Sequence, residues 1–193
     1  MGPFEYLMMF TAVILGLAVC DLAVSVHRLL AAAARVRWDW LAPLAALVAF
    51  LKIVSQWWTF FNAGPLAKGL TFEMFLGVLV ASVLLFLLAA DALPDELHEG
   101  WIDLRAHYAT VQRRFWLLFA AQWLLLTAVS TWAQVAIEKA HLDLLSPAWL
   151  VLPAALLLAL WKNRWWQTIG LAGFAMVYVA QYFGQHLGQG LTP

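Results

Sequence analysis

Six stretches of the chain run for about twenty residues with few charges, and that repetition limits the fold more than any other feature. An apolar run of this length matches the thickness of a bilayer's hydrocarbon core when wound as a helix. The runs are Phe4–Arg28, Trp40–Phe61, Leu70–Leu93, Arg114–Glu138, Leu144–Trp161 and Trp165–Leu187. Together they use most of the 193 residues. The predicted fold is therefore all-α: one polytopic membrane domain, residues 1–193, built as a bundle of about six transmembrane helices. Composition agrees. The chain is 65% hydrophobic and 11% charged, whereas soluble domains carry about 25% charged residues. Its formal net charge is zero, which argues against a nucleic-acid partner. A single cysteine, Cys20, rules out an intrachain disulfide. The first run lacks the basic lead of a signal peptide, so it is expected to remain as a helix.

The turns carry breakers: Asn62-Ala63-Gly64-Pro65, Leu93-Pro94-Asp95 and Ser146-Pro147. Pro153 is expected to kink the short fifth span. Orientation follows from Lys and Arg, which accumulate on the cytoplasmic side. Arg28, Arg35 and Arg37 follow span one, Arg105, Arg113 and Arg114 follow span three, and Lys162 and Arg164 follow span five. The opposite turns hold only Lys68 and Lys139. Both termini are thus expected outside, in a plasma membrane of the bacterial inner-membrane type. Trp38, Trp40, Trp116, Trp161, Trp165 and Trp166 are expected as anchors at the inner interface. Trp57, Trp58, Trp132 and Trp149 fall nearer the outer one.

Between Pro94 and Gln112, Leu97, Trp101, Leu104, Tyr108 and Val111 share one helical face. That pattern predicts an amphipathic helix lying on the cytoplasmic membrane surface. Its other face carries Asp95, Glu99, Asp103 and His107. The row has ligand chemistry for a divalent cation, but a solvated face paired with nearby arginines is the simpler reading. No metal site is assigned.

Ionisable and polar groups inside spans are costly and point to function. Lys52 lies about 18 Å from the inner end of span two, at about 1.5 Å per residue. Ser55, Gln56 and Thr59 share its face. Span four repeats the stripe with Thr127, Ser130, Thr131, Gln134 and Glu138, and span six with Tyr178, Gln181, Tyr182, Gln185 and His186. All three stripes climb toward the outside, where Glu5 and Glu73 also fall. They predict a hydrated, outward-opening cavity around Lys52. The competing expectation is that these groups only hydrogen-bond helices together, each bond being worth about 0.6–2 kcal/mol. A cytoplasmic cluster comprises Asp21, Arg28, Asp91 and Arg113, with Ser25 and His27 close by. It reads as ion pairs fixing helix ends, or as an inner gate. Ala12, Gly16 and Ala23 form a small-residue stripe expected to pack closely. Gly184 and Gly188 supply one G-x-x-x-G toward a homo-oligomer.

The chain has no H-E-x-x-H, P-loop or G-x-S-x-G motif, and its five histidines fall near the interfaces. No cofactor is implied, and neither Ser130 nor Cys20 has a base at its depth. The leading expectation is a small membrane transporter or channel component for an ion or small polar solute. Lys52 favours an anionic group, whereas Glu5, Glu73 and Glu138 favour a cation. One alternative is a membrane-embedded enzyme or redox subunit acting on a lipid or quinone. Another is a sensor, scaffold or accessory subunit without chemistry.

Overall fold

A computed structural model describes residues 2–61, 69–94, 101–134 and 147–182. Within them the chain folds as six α-helices: α1 Pro3–Ala31, α2 Leu41–Phe61, α3 Phe72–Ala92, α4 Leu104–Ala133, α5 Val151–Leu160 and α6 Arg164–Tyr182. Three of the starts show why they form where they do. Glu5 accepts a hydrogen bond from the Gly2 N–H at 2.9 Å, with Pro3 opening α1. Thr71 Oγ1 accepts from the Met74 N–H ahead of α3, and Asp103 Oδ1 accepts from the Arg105 and Ala106 N–H groups of α4. Each cap satisfies donors that the first helical turn leaves without intrahelical partners.

α3 packs on both α1 and α4, α5 lies against α4, and α2 meets α1, α3, α4 and α6. α1 buries one seam at helical spacing, Leu7, Thr11, Leu15, Ala18, Leu22, Ser25 and Leu29. Ala42, Ala45 and Ala49 of α2 and Ala81, Ala89 and Ala92 of α3 are buried too, and such small side chains let helices approach closely. The stripe of Ala12, Gly16 and Ala23 expected to pack instead faces outward: all three are exposed, and a Cβ on Gly16 would meet nothing within 4 Å. The longer seam wins because its larger side chains bury more apolar surface. Gly77 is a real point of close approach, since a Cβ there would lie 2.6 Å from Val129 Cγ2.

The outer surface of these helices is apolar. Val13 and Leu17 of α1 and Leu76, Val80, Val83 and Leu87 of α3 are exposed. A continuous mantle of this kind is stable only in hydrocarbon or under another protein. α1, α2, α3 and α4 are long and apolar enough to cross a membrane. α5 has ten residues, about 15 Å of helix, preceded by a 3₁₀ turn over Pro147–Leu150. Pro153 sits in the first turn of α5, which runs unbroken from Val151 to Leu160; there the donor that proline lacks would have no acceptor within the helix.

Two expectations about the basic end change. The separate surface helix up to Gln112 does not form among the described residues. Leu104 begins α4, which runs unbroken to Ala133. Leu104, Tyr108, Val111, Gln112, Phe115, Trp116 and Phe119 form one buried face, so Arg113 and Arg114 mark no change of direction. The second change is a two-residue parallel pairing of Val36–Arg37 with Ile102–Asp103, the one strand contact among the described residues. Arg37 also lies over the Trp101 ring at 5.7 Å. Asp39, whose Oδ1 accepts the Leu41 N–H ahead of α2, pairs with Arg164. The Arg164 guanidinium stacks 3.8 Å from the Trp40 ring, and Trp40 Nε1 donates to Thr168 Oγ1. The three basic turns therefore meet at one end of the bundle.

Candidate functional site

A cavity of about 230 Å³ lies between α2, α3, α4 and α6, away from the basic end. α2 contributes Lys52, Ser55, Gln56 and Thr59, four residues that a 3.6-residue turn places on one face. α4 contributes Thr127 and Ser130, and α6 contributes Tyr178 and Gln181. The stripes read separately from three spans thus meet around one space. Phe60, Val78, Trp123, Leu126 and Val129 supply its apolar walls. Exposure grades along it: Lys52, Gln56 and Tyr178 are buried, Ser55 and Thr127 are half-buried, and Thr59, Ser130 and Gln181 are exposed.

Lys52 occupies the deep end and is 3% exposed. Its ammonium donates to the Tyr178 hydroxyl at 3.3 Å. It also lies 4.2 Å from the Phe119 ring centroid and 5.2 Å from that of Trp123. Among the described residues no carboxylate pairs with it. Glu5 caps α1 and is exposed, and Glu73 is exposed in the first turn of α3. Neither lines the cavity. Aromatic faces contribute up to about 2 kcal/mol each to a desolvated cation, whereas removing an ammonium from water costs several kcal/mol. The deep end of the cavity is therefore electropositive and only partly compensated.

Beside Lys52 runs a hydrogen-bond relay across three helices. Ser82 Oγ donates to Val78 O at 2.8 Å, Gln56 Nε2 donates to Ser82 Oγ at 3.0 Å, and Gln122 Nε2 donates to Gln56 Oε1 at 2.7 Å. The stripe reading missed Ser82 and Gln122. Each interrupts an apolar run alone, so neither belongs to a repeated spacing. Their cost inside a span was the available signal.

Other expected site residues fall elsewhere. Gln134 is exposed at the end of α4 and does not line the cavity. Glu138, Gln185 and His186 lie outside the described residues, as do Asp95 and Glu99 of the acidic row and both glycines of the G-x-x-x-G. Asp103 is a helix cap, and His107 Nε2 contacts Asp91 O at 3.3 Å. In the cytoplasmic cluster Asp21 is half-buried and Arg28 exposed on α1. Asp91 forms a bidentate pair with Arg114, not with Arg113 or His27. Arg113 is exposed one residue earlier, about 100° away around the helix.

A second buried network at the basic end was also missed. Gln167 Oε1 accepts from Tyr108 Oη at 2.8 Å and from Trp116 Nε1 at 2.7 Å. Its Nε2 donates to Leu158 O and Trp161 O, which Gln112 Nε2 reaches as well. These bonds satisfy carbonyls at the end of α5. Trp116 is fully buried there, so it is a core residue and not an interface anchor. Both amide atoms of Gln167 and the Tyr108 and Trp116 donors are paired within it.

Neither family models, nor curated proteins, nor solved structures yield a match to this chain.

Proposed function

We propose that this protein is a small plasma-membrane transporter or channel component for an ion or small polar solute, with the cavity at Lys52 as its binding site. The observation that carries this reading is a buried ammonium, with no carboxylate beside it among the described residues, at the deep end of a cavity whose lining grades to the exposed end of the helices. A residue kept at that cost is accounted for by an occupant better than by packing. The reading includes six crossings with both termini outside. Its support is the meeting of the three basic turns at one end, opposite the cavity.

Lys52→Met keeps side-chain length and removes the charge. Purified protein in liposomes should conduct solute flux, and the substitution should abolish it while the unfolding midpoint stays unchanged or rises. Flux that survives the substitution would refute the role of Lys52, and a midpoint that collapses would make the lysine structural. For the topology, single cysteines at Gly190 and Arg35 should react with impermeant reagents from opposite sides. Labelling from the same side would refute it.

A further inference from the structure

We infer that the occupant of the Lys52 cavity is a small carboxylate that also carries an O–H or N–H donor. The inference rests on the cavity being a binding site, as proposed above.

The charge comes from Lys52. An ammonium has three N–H donors, and one is directed to Tyr178 Oη. The aromatic rings beside it attract the charge but accept no conventional hydrogen bond. An anionic acceptor completes both the charge and the donors. Of the three carboxylates that would have favoured a cation, Glu5 and Glu73 are absent from the lining, and Glu138 lies outside the described residues.

The donor comes from the relay. Ser82 has one hydroxyl proton, and it goes to Val78 O. Ser82 must then accept, so the Gln56 group facing it is the amide nitrogen. Gln56 therefore presents its oxygen to Gln122, which must present its nitrogen. The proton count along the relay fixes both amide orientations. Among the described residues Gln122 Oε1 is left as a fully buried acceptor with no partner, on a residue that lines the cavity. An unmet buried acceptor calls for a donor, and a halide has none to give.

Size and walls narrow the class further. About 230 Å³ exceeds a cavity of about 150 Å³ that holds benzene. Phe60, Val78, Leu126 and Val129 offer apolar contact to a short hydrocarbon body. A single cation suits a monoanion better than a phosphate, which gathers several positive groups.

Calorimetric titration of the purified protein in detergent micelles separates the terms with four probes of similar size. Lactate has the carboxylate and the donor, propionate the carboxylate alone, 1,2-propanediol the donor alone, and ethanolammonium a donor with the opposite charge. Lactate should bind about tenfold tighter than propionate, and the other two should not compete. Lys52→Met should lose both carboxylates. Because Gln122 Nε2 is the donor to Gln56 Oε1, the double variant Gln56→Met with Gln122→Met removes both acceptors and should bind lactate and propionate equally, with the unfolding midpoint of each variant measured in the same micelles. Ethanolammonium or propanediol matching lactate would overturn the charge assignment on wild-type protein alone. Equal binding of lactate and propionate to wild type would overturn the donor. Proteoliposomes separate this from the transport reading. Binding of lactate without flux would remove transport and keep the carboxylate assignment. Flux of ethanolammonium or propanediol with exclusion of lactate would keep transport and overturn the assignment.

Discussion

Gln167 and Gln112 sit in the same buried network, yet their removal should have very different costs. Gln167→Met strands two donors, because Tyr108 Oη and Trp116 Nε1 both depend on Gln167 Oε1. The carbonyls of Leu158 and Trp161 keep the Gln112 amide. A buried group stripped of its partner costs about 1–3 kcal/mol in soluble proteins. Hydrogen bonds between membrane helices average about 0.6 kcal/mol and reach about 1.7. Bracketing by these values, Gln167→Met should cost about 1–3 kcal/mol. Gln112→Met strands nothing, since both carbonyls remain bonded to Gln167, and should cost about 0.5 kcal/mol or less. Unfolding by SDS titration in mixed micelles reads both. A cycle sharpens the test: Tyr108→Phe in the Gln167→Met background removes one stranded donor and should not destabilise further, while the same change in wild type should. Equal costs for the two glutamines, or additive losses in the cycle, would refute the account of α5 being closed by one saturated amide.

Gly77→Ala places a Cβ against the stiff Val129 side chain and should destabilise by about 1–3 kcal/mol. Val129→Ala should rescue it in thermal unfolding, and failure of rescue would mean that α3 and α4 do not meet there. Arg114→Ala should cost about 0.5–1 kcal/mol through loss of the half-solvated Asp91 pair, whereas Arg113→Ala should be neutral. The reverse order in chemical unfolding would restore the pairing expected from sequence.

Whether a residue faces hydrocarbon or another helix is settled at two different levels in this protein. Helix identity and apolar length were legible because a bilayer requires long, internally hydrogen-bonded segments, and that demand is written in composition and spacing. The faces of Lys52, Ser55, Gln56 and Thr59, and of Thr127 with Ser130, were legible for the same reason: a 3.6-residue period maps sequence directly onto a helix surface. Relations between helices were not legible. The Asp91 partner depended on about 100° of rotation between Arg113 and Arg114, and the run at Leu104–Gln112 joined α4 only because its buried face continues into Phe115 and Phe119. Ser82 and Gln122 carry no periodic signal, since each is a lone polar residue, and Gln167 belongs to no repeated stripe. Their partners are 26, 66 and up to 59 residues away. Only packing brings such groups together, because a hydrogen bond needs a distance near 3 Å, and spacing along one helix holds no information about the neighbour it will meet.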